Sequence, residues 1–275
     1  PEDTNPLATR TDAPTSPPES ANRFIFNKNH GNDIEKYPAI KRHLHSFKAD
    51  LENRALDQKW YELQQPQLAF TKEFQKTKIV YPNVALGCRF AIDSGSYLDM
   101  TSFCICSSDL SLLAILNSSL MSFFFSHLGI QRRGGYQEFK TQYMKELPIP
   151  EIGVETKSLV ALLVEYVIHL SQRSSHKQVG TADPREEMML RYFEQLIDAL
   201  VYELFFPEEL HKASRHFFRP LQDENLPALD AIKGDKTTKL RSIFERLFDK
   251  DHVIRKNCFF LDTLETVRII EEGKA

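Results

Sequence analysis

The chain has 275 residues, 41% hydrophobic and 27% charged, with a formal net charge of −3. That length suits two modest domains, or one domain with an extension. The composition is that of an ordinary globular protein, and a slightly acidic balance argues only weakly against nucleic acid. The distribution says more: residues 22–150 hold 16 Lys/Arg against 12 Asp/Glu, and residues 151–275 hold 18 against 22.

Pro1 to Ala21 carries five prolines among Thr, Ser and Asp with no apolar period, so residues 1–21 are expected to be a linker or unstructured leader. Chain start at Pro1 rather than Met suggests a piece of a longer protein. Phe24-Ile25-Phe26 has the pattern of a short strand. Tyr37-Pro38 opens a helix with proline in its first turn, and Ile40, Leu44, Phe47 and Leu51 continue it as one stripe. His43 and His45 lie two apart on that helix, face different sides, and are expected to be solvated. Trp60 is expected to pack. Ile79-Val80-Tyr81-Pro82, Phe90 to Asp93 and Tyr97 to Cys106 read as strands, the last two paired around the turn Asp93-Ser94-Gly95-Ser96.

Asp109 to Pro150 is the organising stretch. Leu112, Leu113, Leu116, Leu120, Phe123, Phe124 and His127 recur at helical spacing over residues 110–127, capped by Asp109 and followed by Gly129 as a C′ glycine. Asn117, five serines and His127 interrupt its apolar run, so it is not a membrane span. Arg132-Arg133-Gly134-Gly135-Tyr136 follows, a basic loop suited to gripping a phosphate backbone or to being a mobile surface loop. The segment ends in Leu147-Pro148-Ile149-Pro150.

Beyond it the pattern turns helical: Thr156 to Gln172, Pro184 to Phe206, a short helix from Pro207, then Lys239 to Phe248 and Asn257 to Glu271. The expected class is α+β, a small antiparallel sheet packed by helices (residues 22–152) followed by an all-α region (153–275). Cys88, Cys104, Cys106 and Cys258 form no metal-ligand spacing, and no metal site is expected. Cys104 and Cys106 point the same way from a strand and are expected to be free thiols on a core face. Reduced thiols fit a cytoplasmic protein. No G-x-G-x-x-G, G-x-x-x-x-G-K-[ST], H-E-x-x-H or G-x-S-x-G sequence is present, so no catalytic residue is proposed.

Six short motifs occur in a familiar order: W-Y-E-L at 60–63, K-I-V-Y-P at 78–82, R-F-A-I-D at 89–93, then L-L-A-I-L-N-S at 112–118, R-R-G-G at 132–135 and L-P-I-P at 147–150. Together with Tyr37-Pro38 upstream and the helix I-D-A-L-V-Y-E-L at 197–204, they resemble the TaqI-like target-recognition (specificity) domain of adenine-specific DNA methyltransferases and type IIG restriction-modification enzymes, over residues 22 to 206. The resemblance implies a reader of double-stranded DNA whose parent also carries an amino-terminal methyltransferase domain, with or without a nuclease. In the family that domain binds S-adenosylmethionine and methylates the N6 amine of adenine through an Asn-Pro-Pro-Tyr/Phe motif. This chain has no Asn-Pro-Pro, so the cofactor belongs to the missing domain. The DNA contacts expected here are Arg132 and Arg133, helped by Lys72, Arg89, Tyr136 and Lys140, with two alternatives open: Arg89 paired to Asp93, and Tyr136 in the core. The competing function is a protein-interaction module that docks other parts of such a complex without reading bases.

Overall fold

The computed structural model describes residues 33–55, 58–64, 70–175 and 183–273. The expected leader and the strand at Phe24–Phe26 lie outside them. Among the described residues two compact units emerge: 33–76 with Ser94–Tyr97, and Thr77–Asp93 with 98–273.

In the smaller unit the helix after Tyr37 is α1 (Pro38–His45), with Pro38 in the first turn as expected. The stripe does not continue as one helix: the chain breaks at Ser46 and restarts as α2 (Lys48–Glu52). Neither helix buries a residue fully, and Phe47 is exposed. Arg54 ties the end of α2 to the next turn, its guanidinium donating to the carbonyls of Leu51, Trp60 and Glu62. Trp60 packs, edge-on to His45 and Tyr61. His43 and His45 are both exposed. Helix α3 (Thr71–Phe74) places Phe74 edge-on to Tyr97.

The larger unit is α+β, with helices dominating. Its sheet consists of β1 (Thr77–Pro82), β3 (Ala91–Ser94) and β4 (Ser102–Ile105) in the order β3-β1-β4; a separate ribbon pairs β2 (Val84–Ala85) with β5 (Gln137–Glu138). β1 and β4 are antiparallel, Ile79 opposite Ile105 and Tyr81 opposite Phe103. The expected pairing of the second and third strands does not form, because β1 lies between them. Gly95, at φ +85, makes the intervening turn with the left-handed backbone that glycine adopts readily. The middle strand carries Lys78, whose side chain is 0% exposed and whose ammonium lies 2.6 Å from the Asp93 carboxylate on β3. Pro82 ends β1, where its missing N–H costs least.

The apolar helix is two helices: α4 (Leu110–Asn117) and α5 (Ser119–Leu128), bent by 61°. Asp109 caps α4 as expected, accepting from the backbone N–H groups of Ser111 and Leu112. Asn117 and the two serines after it cause the bend. Asn117 exchanges two 2.9 Å hydrogen bonds with the backbone of Phe90. Ser118 adopts an extended backbone and its hydroxyl oxygen caps α5, accepting from Met121 N–H. Ser119 gives its N–H and hydroxyl to Asp198. Gly129 is not a left-handed C′ residue; its φ is −82 and ψ 165. Its small size is what counts, since a Cβ there would stand 3.1 Å from the Phe125 carbonyl. Among the described residues no single helix is long and apolar enough to cross a membrane.

The helical region follows expectation closely at first. After the short α6 (Thr141–Met144), α7 (Val154–Ser175) and α8 (Pro184–Phe205) pack side by side, with α4 against both. Their apolar periods become the core: Leu159, Leu163, Tyr166 and Leu170 on one, Met189, Phe193, Leu196 and Leu200 on the other. Met188, expected in that stripe, is exposed instead. α9 (Pro207–Lys212) and α11 (Lys236–Leu247) match expectation, whereas α10 (Phe218–Asp223) was not foreseen. The last expected helix is broken into α12 (Val253–Phe259) and α13 (Glu265–Glu272), joined by a 3-10 turn at Leu261–Thr263. Cys106 is exposed beyond the end of β4, correcting its expected place on a core face; none of the four cysteines forms a disulfide. Burial pushes the Cys88 and Cys258 thiols up to about 12, leaving them protonated and unreactive.

Candidate nucleic-acid interface

The basic loop is the tip of the β2–β5 ribbon. Before it, Gln131 bridges to Gln137; Arg132 N–H donates to the Tyr136 carbonyl at 2.7 Å, and Glu138 N–H to Ile130. Closing the chain so tightly over Arg133-Gly134-Gly135 requires φ +78 at both glycines, a left-handed backbone that a β-carbon would strain. A 3-10 turn (Arg133–Gly135) results. The two glycines thus serve the loop's shape, whatever the loop touches.

Beneath the tip the ribbon is buried. Gln137, Glu138 and Phe139 are 8%, 2% and 1% exposed. The Phe139 ring packs at 4.6 Å against Phe125 of α5, tilted by 44°, and meets Phe90 edge-on. Asn83 joins ribbon to sheet: its N–H donates to the Thr101 carbonyl and its own carbonyl accepts from Phe139 N–H, both at 2.8 Å. The tip is therefore an exposed basic turn on a rigid, packed stem.

Glu138 organises the charges around the stem. One carboxylate oxygen accepts a charge-assisted hydrogen bond from the Arg132 guanidinium, and the Lys140 ammonium lies 2.7 Å from the other. A buried carboxylate without these partners would be costly, so the anion holds both cations in place. Arg132 and Lys140 remain open to solvent, with side chains 59% and 46% exposed. Arg133 is exposed and makes no ion pair or hydrogen bond among the described residues. Tyr136 is 43% exposed, which removes it from the core, and its ring lies over Gly134. Arg89 does not pair with Asp93, which is held by Lys78; its Nε donates to the Leu86 carbonyl at 3.0 Å. Leu86 in turn faces Gly135, so the turn carrying Arg89 lies beside the basic tip. Lys72 is exposed on α3, in the smaller unit.

Four of the six expected contacts, Arg132, Arg133, Tyr136 and Lys140, thus share one exposed ribbon end, with Arg89 in the adjacent turn. Sequence reasoning missed Glu138 and Asn117. Q-E-F after a basic loop signals no buried ion pair, and Asn117 reads as an interruption of an apolar helix until Phe90 is seen beside it. No curated protein matches the chain. Residues 28–149 do match the model of the TaqI-like C-terminal specificity domain, stopping at the L-P-I-P segment short of residue 206. That stretch, under half of the chain, is accordingly similar to a TaqI-like specificity domain, a resemblance that points toward DNA recognition in restriction-modification systems.

Proposed function

We propose that this chain is the sequence-reading part of a restriction-modification enzyme, and that it directs adenine N6 methylation by a catalytic domain outside it. The observation that carries this reading is the exposed tip Arg132 to Tyr136 on its buried stem. Guanidinium groups grip phosphate oxygens or pair with guanine O6 and N7, and a rigid stem gives them a defined register. Arg133 is the free cation of the set, whereas Arg132 and Lys140 share the Glu138 charge. Tyr136 adds an aromatic face beside them. Lys72 and Arg89 complete the proposed contacts with double-stranded DNA. The residues needed for S-adenosylmethionine do not fit this chain, which lacks Asn-Pro-Pro and a D-P-A-x-G-S-G-like loop, so that cofactor is assigned to the partner domain. A cytoplasmic location accords with DNA as the target and with four cysteines that form no disulfide.

The experiment is a salt titration of DNA affinity for the chain joined to its catalytic domain. Arg133→Ala should weaken binding and lower the slope of log K against log salt by roughly 1, the share of one phosphate contact. Arg132→Ala should do less, because its charge is already partnered. If affinity and slope are unchanged in both variants, the tip does not touch DNA.

A second reading, a docking module for other parts of such a complex, draws on the helical region. There an open groove of about 690 Å³ is lined by Arg191, Glu194, Asp198, Tyr202, Phe259 and Glu271, with Phe259 74% exposed. Phe259→Ser should then weaken association with the catalytic domain and leave the salt slope for DNA unchanged.

A further inference from the structure

We infer that Glu203, His211 and His216 form a binding site for a divalent transition metal ion of the zinc class, in the helical region beyond the specificity domain. One donor atom from each residue lies within 4.8 Å of the other two. Glu203, near the end of α8, is 6% exposed, whereas both histidines face solvent. The site is therefore a buried carboxylate with two imidazoles above it and an open side toward water. A His₂Glu set with a free fourth position is a donor combination that zinc accepts.

The backbone builds this cluster. After α9, Ser214 N–H donates to the His211 carbonyl and Arg215 N–H to the Leu210 carbonyl. This is a Schellman closure, with Ser214 at φ 58 in the left-handed position usually given to glycine. The reversal brings His216 back over His211, ring centroids 4.6 Å apart and 28° from parallel.

Glu203 is held for the same task. One oxygen accepts from the backbone N–H groups of Phe217 and Phe218, each at 2.8 Å, which fixes the carboxylate plane. The other oxygen is 2.8 Å from His211 Nε2. His216 completes the triad but has no side-chain hydrogen bond among the described residues; only its carbonyl is engaged, by Asn257. Donors on one tetrahedral zinc stand roughly 3.3–3.5 Å apart, given bond lengths near 2.0–2.2 Å. A proton bridges Glu203 and His211 without an ion, and rotation of the exposed His216 ring closes the triad around one. Arg215 does not oppose the ion: its guanidinium carbon lies 5.1 Å from the Phe260 ring centroid, stacked away on that face.

The test is titration of the untagged full chain with Zn²⁺ against a chromogenic chelator, and with Co²⁺ read by absorption. The expected result is one ion per chain, a tetrahedral cobalt spectrum without a sulfur charge-transfer band, and at least a tenfold loss of affinity in His216→Ala. That ring is exposed, so the variant keeps its fold; a thermal melt of both proteins checks this, and zinc should raise the melting temperature of the parent only. Absence of stoichiometric binding overturns the assignment. So does binding that survives His211→Ala with His216→Ala, or that disappears on Cys106→Ser. None of these outcomes depends on DNA binding, so the metal site and the DNA-reading tip stand or fall separately.

Discussion

Strand β4 buries none of its four side chains fully, whereas α8 buries ten of its residues. The part of the molecule that carries the basic tip adds polar joints to the apolar packing of Ile79, Tyr81, Phe90 and Phe139: Asn117 to Phe90, Asn83 to Thr101 and Phe139, Lys78 to Asp93, and Glu138 to its two cations. The helices α7 and α8 are held by apolar contact, through Tyr166, Phe193, Leu196 and Leu200. Directional bonds define where a loop points, while non-directional burial supplies the free energy that keeps the platform folded. A reading surface needs the first, and it borrows the second from the helices behind it.

That contrast can be broken most severely in the helices. Phe193→Ala removes a ring that is 0% exposed and should cost about 3–5 kcal/mol in denaturant unfolding, whereas Phe103→Ala on the half-buried β4 should cost clearly less. Equal losses would mean that the sheet has a core of its own. Next comes the one strongly buried charge of the sheet. Asp93→Asn removes the carboxylate charge beside the buried Lys78 ammonium and should destabilise by roughly 3 kcal/mol, much of it recovered when Lys78→Met is added.

A smaller effect tests the joint between the two regions. Asp198 on α8 accepts both the N–H and the hydroxyl of Ser119, at 2.8 and 2.7 Å, and so caps α5 from a distant helix. Asp198→Ala should cost about 1–2 kcal/mol in thermal unfolding, more than an exposed substitution on the same helix. The smallest effect is a pH dependence at Asp109. Burial alone would raise its carboxyl, but the Lys157 ammonium and the Ser111 and Leu112 donors outweigh burial and hold it below the usual range. A depressed carboxyl contributes stability that is complete above its unfolded value, near 4, and is lost as pH falls through the folded one. Asp109→Ala should therefore lower stability by a constant amount above about pH 6 and by progressively less as pH falls through the folded value, which flattens the acid limb of the curve.

The two regions were also unequally legible in the sequence. Long apolar periods such as Leu159 to Leu170 and Met189 to Val201 identify α7 and α8, because a buried helix face repeats at a spacing that few other structures share. Strand segments were visible too, but not their order: alternation along Phe90–Asp93 and Tyr97–Cys106 says nothing about β1 lying between them. Nor does an apolar run reveal a bend made by Asn117 and Ser118 through partners far away in sequence. The tip was legible as Arg-Arg-Gly-Gly-Tyr because glycine pairs mark a tight turn. Its charge balance was not, since Glu138 reads as an ordinary acidic residue until its burial is known. His211 and His216 escaped for a similar reason, being five apart across a helix end with their carboxylate on another helix.

The most direct test of the central claim places a photo-crosslinking benzoylphenylalanine at Tyr136, in the chain joined to its catalytic domain, bound to duplex carrying the sequence that the enzyme methylates. The expected result is an efficient crosslink to the bases or backbone of that sequence, lost when the duplex is scrambled and reduced by Arg133→Ala. A probe at this exposed tip that bound enzyme never attaches to DNA, while methylation proceeds normally, would contradict that claim.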